Sequence, residues 1–306
     1  MNPTLPPVQT EAELSAFFAD APAVDTALSA LTIRRSRPEP FVRFAGGSVL
    51  VAASGDEVVK VFPPMERVFA DTEWGALCGL DGRLPVATPR PRERFEIDGW
   101  HGIAMDRLPG RELAEVWPEL SRDERIGLGV QLGETLRVLH GTTPPGELPV
   151  VDWPGWVAER RANVVEQQRK RRCPDAWLGE IPGLLDAVLP PEPTGWVHTE
   201  VMLEHLLVRR TAAGWKLSGL FDFEPSWVAP IAYELPSIGL FVARGDRAVF
   251  RAILTAMGAR LDEDLPERCL RMALVHRYCN LRWYGERIPP PPGASLRDCA
   301  PVWFGV

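Results

Sequence analysis

The chain has 306 residues, of which 45% are hydrophobic and 25% are charged, an ordinary globular composition with room for two lobes or two domains. Its formal net charge of −7 argues against a general nucleic-acid binder, which normally carries a basic surface. No apolar run reaches the roughly 18–20 residues that cross a bilayer, and the N-terminus lacks the basic start and apolar core of a secretory signal. We therefore expect a cytoplasmic protein without nucleic-acid or membrane partners.

The first third of the chain predicts two short helices and a set of short strands. Gly46-Gly47, Gly55-Asp56 and Asp98-Gly99 separate the strand candidates, as turns separate the strands of hairpins. In chain order the predicted elements are one or two helices over 11–31, strands at 41–47, 48–54 and 57–63, a helix at 65–80, and strands at 92–99 and 100–108.

Beyond Pro109-Gly110 the pattern becomes mainly helical. Ser121 and Glu124 form a capping-box signature at the start of an amphipathic stretch. The predicted elements are helices at 121–140, 155–172 and 180–189, two hairpin-like segments within 196–224, a mostly helical region at 231–285, and a Pro-rich tail that ends the chain. The sequence therefore predicts an α+β fold with a small antiparallel β-rich lobe (1–107, with its helical extension) and a larger helical lobe (108–306).

Residues 196–224 carry the most informative pattern in the chain. His198 and Glu200 are followed five positions later by His205, and Asp222 and Glu224 come after an apolar strand. A carboxylate, a possible metal ligand, a strand pair and a second carboxylate stand in the order of a kinase catalytic loop and its metal-binding segment. In this interpretation Glu200 is the catalytic base, His198 braces the loop, and His205 and Asp222 hold the metal. Glu224 is either a second metal ligand or a surface acid.

Phosphoryl transfer also needs backbone donors and a fixed cation for the phosphates. Gly46-Gly47-Ser48 lies between two predicted strands and is a candidate phosphate loop, although most such pairs are simple turns. Lys60 is one of three lysines and lies in an apolar strand, where Val59 and Val61 face the opposite side. It is either a phosphate-binding lysine or an exposed strand lysine. Glu73 on the next helix is its predicted partner, with Glu66 as the competitor.

These residues resemble the aminoglycoside phosphotransferase family, a branch of the protein-kinase-like fold. The family pattern H-G-D-x-x-x-x-N is matched by His198-Thr199-Glu200 and His205, and the metal segment by 221–224. A downstream D-P-A-Y-D-L box is echoed at 230–235, and 104–113 resembles the hinge between the lobes. The resemblance implies that the backbone of Asp106 and Leu108 meets the base of ATP or GTP, that Mg²⁺ is the metal, and that a small-molecule hydroxyl is the acceptor.

Two positions depart from the family pattern: Glu200 stands in place of Asp, and His205 in place of Asn. Glutamate keeps the charge but places it about one bond further out, and histidine is a better ligand for Mn²⁺ than for Mg²⁺. A degenerate pseudokinase that binds a ligand or a protein is therefore an alternative. A metabolic kinase for choline or a sugar is another, which differs only in its acceptor.

The regions expected to line the acceptor site are rich in arginine. Residues 158–172 contain six basic side chains and two acidic ones, and 268–306 contain six arginines, Glu286 and Asp298. Aromatic residues such as Trp156, Tyr278 and Trp303 lie in the same regions, as packing residues or as walls for a ligand. Since a polycation requires an acidic pocket, we favour a hydroxylated antibiotic of neutral, sugar-bearing or nucleoside type, such as a capuramycin, over a polycation. Antibiotics of aminoglycoside and hygromycin type stay among the candidate acceptors.

Overall fold

The computed structural model describes residues 3–44, 46–186 and 193–306. Two capped helices open the chain, α1 (Glu11–Ala19) and α2 (Ala21–Arg34). Thr10 and Glu13 form a capping box on α1, and Asp20 caps α2, which explains why the break falls between them. The prediction of short helices over 11–31 is confirmed.

The β-rich lobe is a five-stranded antiparallel sheet in the order β1-β2-β3-β5-β4. The predicted strand at 41–47 is wrong beyond its first residues, because Gly46 and Gly47 have φ of +83° and +91° and leave the extended conformation. The strands are β1 (Val42–Arg43), β2 (Leu50–Ser54), β3 (Glu57–Phe62), β4 (Pro91–Ile97) and β5 (Trp100–Asp106).

Helix α3 (Arg67–Leu80) and the N-terminal helices cover this sheet. Val59 and Val61 are fully buried in a core that they share with residues of α1 and α2, while Lys60 between them belongs to the other face. The alternation predicted for β3 is confirmed, and its physical cause is the two-residue period of a strand. Lys60 therefore points away from the N-terminal helices.

The chain then passes into the helical lobe. Ser121 caps α5, with its Oγ accepting from the Glu124 backbone and the Glu124 carboxylate accepting from the Ser121 N–H at 2.9 Å. The elements of this stretch are β6 (Arg111–Glu112), α4 (Leu113–Val116), α5 (Arg122–Gly141), α6 (Trp153–Lys170) and α7 (Asp175–Asp186). The helix predicted at 180–189 begins earlier, at Asp175, and its last three positions lie outside the described residues.

Two small sheets position the segment between 196 and 224. β7 (Thr194–Val197) pairs with β10 (Trp227–Pro230), and β8 (Leu206–Thr211) pairs with β6 and with β9 (Gly214–Leu220). The loop after β7 and the loop after β9 consequently meet. Ala87 bridges to Gly219, and this backbone contact fixes the connection ahead of β4 against β9.

The remaining helices form the base of the helical lobe. They are α8 (Leu235–Ser237), which continues into a π-helical turn over Ile238–Ala243, α9 (Arg247–Met257), α10 (Leu265–Val275), α11 (Leu281–Arg287) and α12 (Leu296–Phe304). The predicted Pro-rich tail is wrong as the end of the chain. α12 follows it, capped by Ser295 and Asp298, and packs against α7 and α10.

Among the described residues, no single helix has the length and apolar character needed to cross a membrane. Helices α1 and α2 pass that length and composition test only together, and they are bent by 93° at the break between them.

Candidate active site

Lys60 lies at the centre of a carboxylate cluster in the cleft between the lobes. It is 5% exposed, and its Nζ lies 3.4 Å from Glu73 Oε2, 2.5 Å from Glu224 Oε2, and in contact with Asp222 Oδ1. β3 supplies the lysine, α3 supplies Glu73, and the loop after β9 supplies the other two carboxylates. The structure therefore places four predicted site residues together, and Glu73, not Glu66, is the helix acid beside the lysine.

The protonation of this cluster follows from burial and from mutual contact. Burial raises the pKa of Glu73 to about 7, although Lys60 opposes that shift. Burial also raises the pKa of Glu224, whereas Lys60 and His205 overcome burial at Asp222 and lower its pKa. The three acids hold the pKa of Lys60 well above its usual value despite burial. The lysine is thus an ammonium, and Asp222 is the most firmly ionised of the acids.

The same carboxylates have the donor chemistry of a site for a hard divalent cation. One oxygen from each of Glu73, Asp222 and Glu224 lies within 4.8 Å of the others, and oxygen ligands of this kind suit Mg²⁺. The sequence placed Asp222, Glu224 and His205 in the metal site and gave Glu73 only to the lysine. In the structure Glu73 contributes an oxygen to this cluster. His205 lies outside it and contacts Oδ2 of Asp222, the oxygen that does not face Lys60.

His205 bridges the loop after β7 and the loop after β9. Its Nδ1 lies 2.8 Å from the Glu200 carbonyl oxygen, and its Nε2 lies 3.1 Å from Asp222 Oδ2. Both partners are acceptors, so the ring makes both bonds only when both nitrogens carry a proton. Ligation of a metal through Nε2 would require that proton to leave. In this arrangement His205 positions Asp222 as an amide side chain would.

His198 is fully buried and supports the loop after β7 through two hydrogen bonds. Its backbone N–H donates to Glu234 Oε2 at 2.7 Å, and its Nε2 lies 3.1 Å from the Phe221 carbonyl oxygen. Burial lowers its pKa, so the ring is neutral and Nε2–H is the donor to Phe221. These contacts tie the loop after β7 to Phe221, the residue before Asp222.

Glu200 projects from this loop and is half-buried. Burial raises its pKa to about 7, while His205 and Arg277 oppose the shift and the acids Asp222 and Glu224 add to it. A carboxylate that titrates near neutral pH can take a proton from a hydroxyl and release it again. Glu200 thus has the proton affinity that a general base requires.

Backbone strain marks both loops. Thr199 and Asp222 have φ of +71° and +74°, a region that non-glycine residues rarely adopt and that costs about 1–2 kcal/mol. Thr199 stands where the family pattern has glycine, and its Oγ1 donates to the Pro225 carbonyl at 2.9 Å. Positive φ turns the Asp222 side chain toward Lys60 and His205, and strain of this kind is concentrated at functional sites.

The glycine turn and the hinge occupy two further edges of the cleft. Gly46 and Gly47 hold the turn before β2, and Ser48 Oγ donates to Glu224 Oε1 at 3.2 Å, which joins this turn to the carboxylate cluster. At the hinge, the Asp106 N–H donates to the Arg90 carbonyl at 2.9 Å, so only its carbonyl is left to meet a base. The Leu108 side chain packs against Gly219 of β9.

Arg277 and Tyr278 were counted in the acceptor region, but the sequence did not place the turn at 276–278 beside the loop after β7. His276 Nε2 lies 3.0 Å from the Thr199 carbonyl, and Arg277 Nη2 donates to the same Pro225 carbonyl that accepts from Thr199. A His-Arg-Tyr triplet directly after an apolar helix was the available signal, but nothing local indicated that it reaches the catalytic loop 77 residues away.

The family model for the phosphotransferase enzyme family matches residues 48–270. This chain belongs to that family. The match spans the glycine turn's serine, Lys60, the catalytic loop and the carboxylate cluster, and it confirms the resemblance drawn from the motifs.

Solved structures share the fold at low sequence identity. The GDP and kanamycin complex of APH(2")-IIia is 17% identical with a TM-score of 0.65, and the comparison covers 81% of this chain and 90% of that one. The streptomycin–ATP ternary complex of APH(2")-IIa is 13% identical with a TM-score of 0.60 and coverage of 95% and 99%. The macrolide 2'-phosphotransferase MphH from Brachybacterium faecium is 19% identical, with a TM-score of 0.53 and coverage of 86% and 98%. The predicted two-lobed, protein-kinase-like α+β fold is confirmed.

Proposed function

We propose that this phosphotransferase transfers the γ-phosphoryl group of ATP or GTP to a hydroxyl of a small-molecule antibiotic and thereby inactivates it. The observation that carries the proposal is the convergence of Lys60, Glu73 and Asp222 in one cleft with Glu200 on the adjoining loop. Phosphorylation would add negative charge and bulk to the drug and disrupt binding to its target. The nucleotide substrates favour a cytoplasmic location.

Each residue of the site has a separate role in the proposed reaction. Gly46, Gly47 and Ser48 cover the phosphates, Lys60 binds the α- and β-phosphate oxygens, and Glu73 orients the lysine. The backbone of Asp106 and Leu108 meets the base, within a nucleotide-binding lobe that ends near residue 107. Glu200 orients the acceptor hydroxyl and accepts its proton as the oxygen attacks phosphorus, and His198 holds the loop in place.

Asp222 and Glu224 are the proposed holders of Mg²⁺, with His205 beside them or, if Mn²⁺ is used, as a direct ligand. The ion supplies charge neutralisation on the phosphate oxygens. For Lys60 to reach a nucleotide it must leave at least one of its carboxylate partners, which then becomes free for the ion.

The test is phosphate transfer to a panel of hydroxylated antibiotics, with ATP and GTP as separate donors. The panel holds aminoglycosides, hygromycin, macrolides and nucleoside antibiotics such as capuramycin. Wild-type protein should phosphorylate at least one compound, and Asp222→Asn should abolish that transfer while Glu204→Gln, an acid outside the cleft cluster, should not. Tight nucleotide binding without transfer to any compound would refute the proposal and favour a pseudokinase.

A choline and simple-sugar arm of the same panel separates an antibiotic kinase from a metabolic one. Transfer to choline or a sugar with a kcat/KM well above that for every antibiotic would leave the phosphotransferase assignment intact and overturn the antibiotic as acceptor.

A further inference from the structure

The turn His276-Arg277-Tyr278, which follows α10, is hydrogen-bonded to the loop that carries Glu200. The Tyr278 N–H donates to His276 Nδ1 at 3.3 Å, so His276 donates through Nε2 to the Thr199 carbonyl at 3.0 Å. Arg277 Nη2 and Thr199 Oγ1 donate to the same Pro225 carbonyl, at 3.0 and 2.9 Å. Because Thr199 directly precedes Glu200, these bonds hold the Arg277 guanidinium beside the proposed base.

Besides its bond to Pro225, Arg277 contacts aromatic side chains and forms no ion pair with an acid among the described residues. Its guanidinium carbon lies 3.5 Å from the centre of the Trp227 ring and 5.7 Å from that of Tyr278, and its backbone N–H donates to the Tyr233 hydroxyl at 2.8 Å. Its Nε is buried and has no hydrogen-bond partner among the described residues. Within the described ranges, no carboxylate comes within the 4.0 Å of an ion pair with Arg277. The guanidinium is oriented by its ring contacts and by its bond to the Pro225 carbonyl, and the Arg277 side chain is half-buried rather than enclosed.

A second arginine that makes no ion pair within the described ranges lies behind the Trp227 ring. Arg160 on α6 is 5% exposed and donates through Nη1 to Gln167 Oε1 at 2.7 Å, while its Nε and Nη2 find no partner in the part of the chain that the structure describes. Its guanidinium carbon lies 5.8 Å from the Trp156 ring centre, and Trp156 stacks edge-on against Trp227 with centroids 5.0 Å apart. A buried charge without a counter-charge is costly, so the two arginines give this side of the site a positive potential that a ligand can offset.

The pKa of His276 is sensitive to the charge of these two arginines. Burial is the main cause that lowers its pKa to about 4, and Arg277 and Arg160 both contribute to the lowering. A polycationic acceptor would meet repulsion from these arginines, whereas an anionic group could pair directly with Arg277, which Glu200 compensates only from beyond 4.0 Å. Tyr278 is 39% exposed and can contact the ring of such an acceptor, whereas the two faces of Trp227 are covered by Arg277 and by the stacked Tyr233 ring.

We propose that the acceptor carries an acidic group, a carboxylate or a phosphate, near the hydroxyl that is phosphorylated, and that Arg277 binds this group. The inference rests on the proposed function for its acceptor site and specifies the substrate class. Arg277 determines specificity, and Trp227 and Tyr278 fix the plane of its guanidinium so that two of its N–H groups meet two oxygens of the acid.

The test measures binding, so that it does not depend on transfer. Four pyranoses that differ in one charged substituent serve as probes: glucose, glucuronate, glucose 6-phosphate and glucosamine. Each is titrated by calorimetry into the full-length protein loaded with ADP and Mg²⁺. Wild-type protein should bind at least one of the two acids about 10- to 100-fold more tightly than glucose, and glucosamine most weakly. The comparison of glucuronate with glucose 6-phosphate decides between carboxylate and phosphate.

Arg277→Gln should remove the preference for the acids, and Arg277→Lys should keep part of it, which separates loss of charge from loss of folding. Arg282→Gln, at an exposed arginine paired with Glu286 on α11, is the matched control and should retain the full preference. An unchanged preference in Arg277→Gln, tightest binding of glucosamine, or no binding of either acid would overturn the inference. Charge preference without transfer would refute only the proposed function, and transfer to polycations would refute only this inference.

Discussion

Removal of the Lys60 ammonium should destabilise the protein and create a cation site in its place. In Lys60→Met, the carboxylates of Glu73, Asp222 and Glu224 lose their shared partner within a cluster less than 4.8 Å across. Removing one partner of a buried ion pair costs about 3–5 kcal/mol. For a chain of 306 residues we expect Tm to fall by about 5–8 °C, from the scaling of Tm with unfolding entropy.

The loss should depend on pH and on divalent cations. Without Lys60 the raised folded-state pKa values of Glu73 and Glu224 rise further, and the lowered pKa of Asp222 also rises. The variant's deficit is therefore smallest below about pH 4.5 and grows as pH rises toward and past 7. Mg²⁺ or Mn²⁺ alone should then restore part of the Tm of Lys60→Met. In the wild type, where the ammonium occupies the cluster, either cation should raise Tm much less.

Thermal unfolding followed by circular dichroism at several pH values, with and without Mg²⁺, measures both effects. Lys216→Met is the matched control, because Lys216 is exposed on β9. It should leave Tm, its pH dependence and its response to Mg²⁺ unchanged. An equal drop in the control, or a Lys60→Met deficit that neither grows with pH nor responds to a cation, would refute the reasoning that the three acids depend on Lys60.

Two further predictions concern the helical lobe. His276 is buried, and its pKa of about 4 lies below the unfolded value of about 6.5, so its contribution to stability is complete above pH 6.5 and is lost as pH falls toward 4. His276→Gln should flatten the fall in Tm between those pH values, and an unchanged slope would contradict the assignment. Trp303→Ala on α12 removes a 1% exposed ring whose Nε1 donates to the Ile288 carbonyl at 2.9 Å. It should lower the free energy of unfolding by about 3–5 kcal/mol in urea titrations, and a change below 1 kcal/mol would show that α12 is not part of the core.

The sequence correctly predicted the features that depend on residues close together in the chain, such as strand alternation and helix caps. The alternation of Val59, Lys60 and Val61 located the buried and cleft faces of β3, and Ser121 with Glu124 located the start of α5. The order of Glu200, His205 and Asp222 was enough to predict the fold and the family, because the spacing of these residues reflects a loop, a hairpin and a second loop.

Contacts between distant segments were beyond the same reasoning. The approach of Arg277 to the catalytic loop depends on how α10 packs, and no periodicity in the helix encodes that. Glu73 was expected to contact only Lys60, and its place among the oxygens of Asp222 and Glu224 arises from the loop after β9. Helix α12 was not predicted because the Pro-rich segment before it suggested that regular structure ends there. The capping box formed by Ser295 and Asp298 was the signal for a further helix.

The most direct test of the central claim is single-turnover phosphate transfer by Glu200→Gln, with Glu200→Asp as its charge-preserving companion. Glutamine keeps the size and hydrogen bonding of the side chain but cannot accept the proton. We predict that transfer slows by about 10²- to 10⁴-fold in Glu200→Gln with nucleotide affinity unchanged, and that Glu200→Asp, which restores the family's residue, keeps much more of the rate. Undiminished transfer by Glu200→Gln would contradict the account.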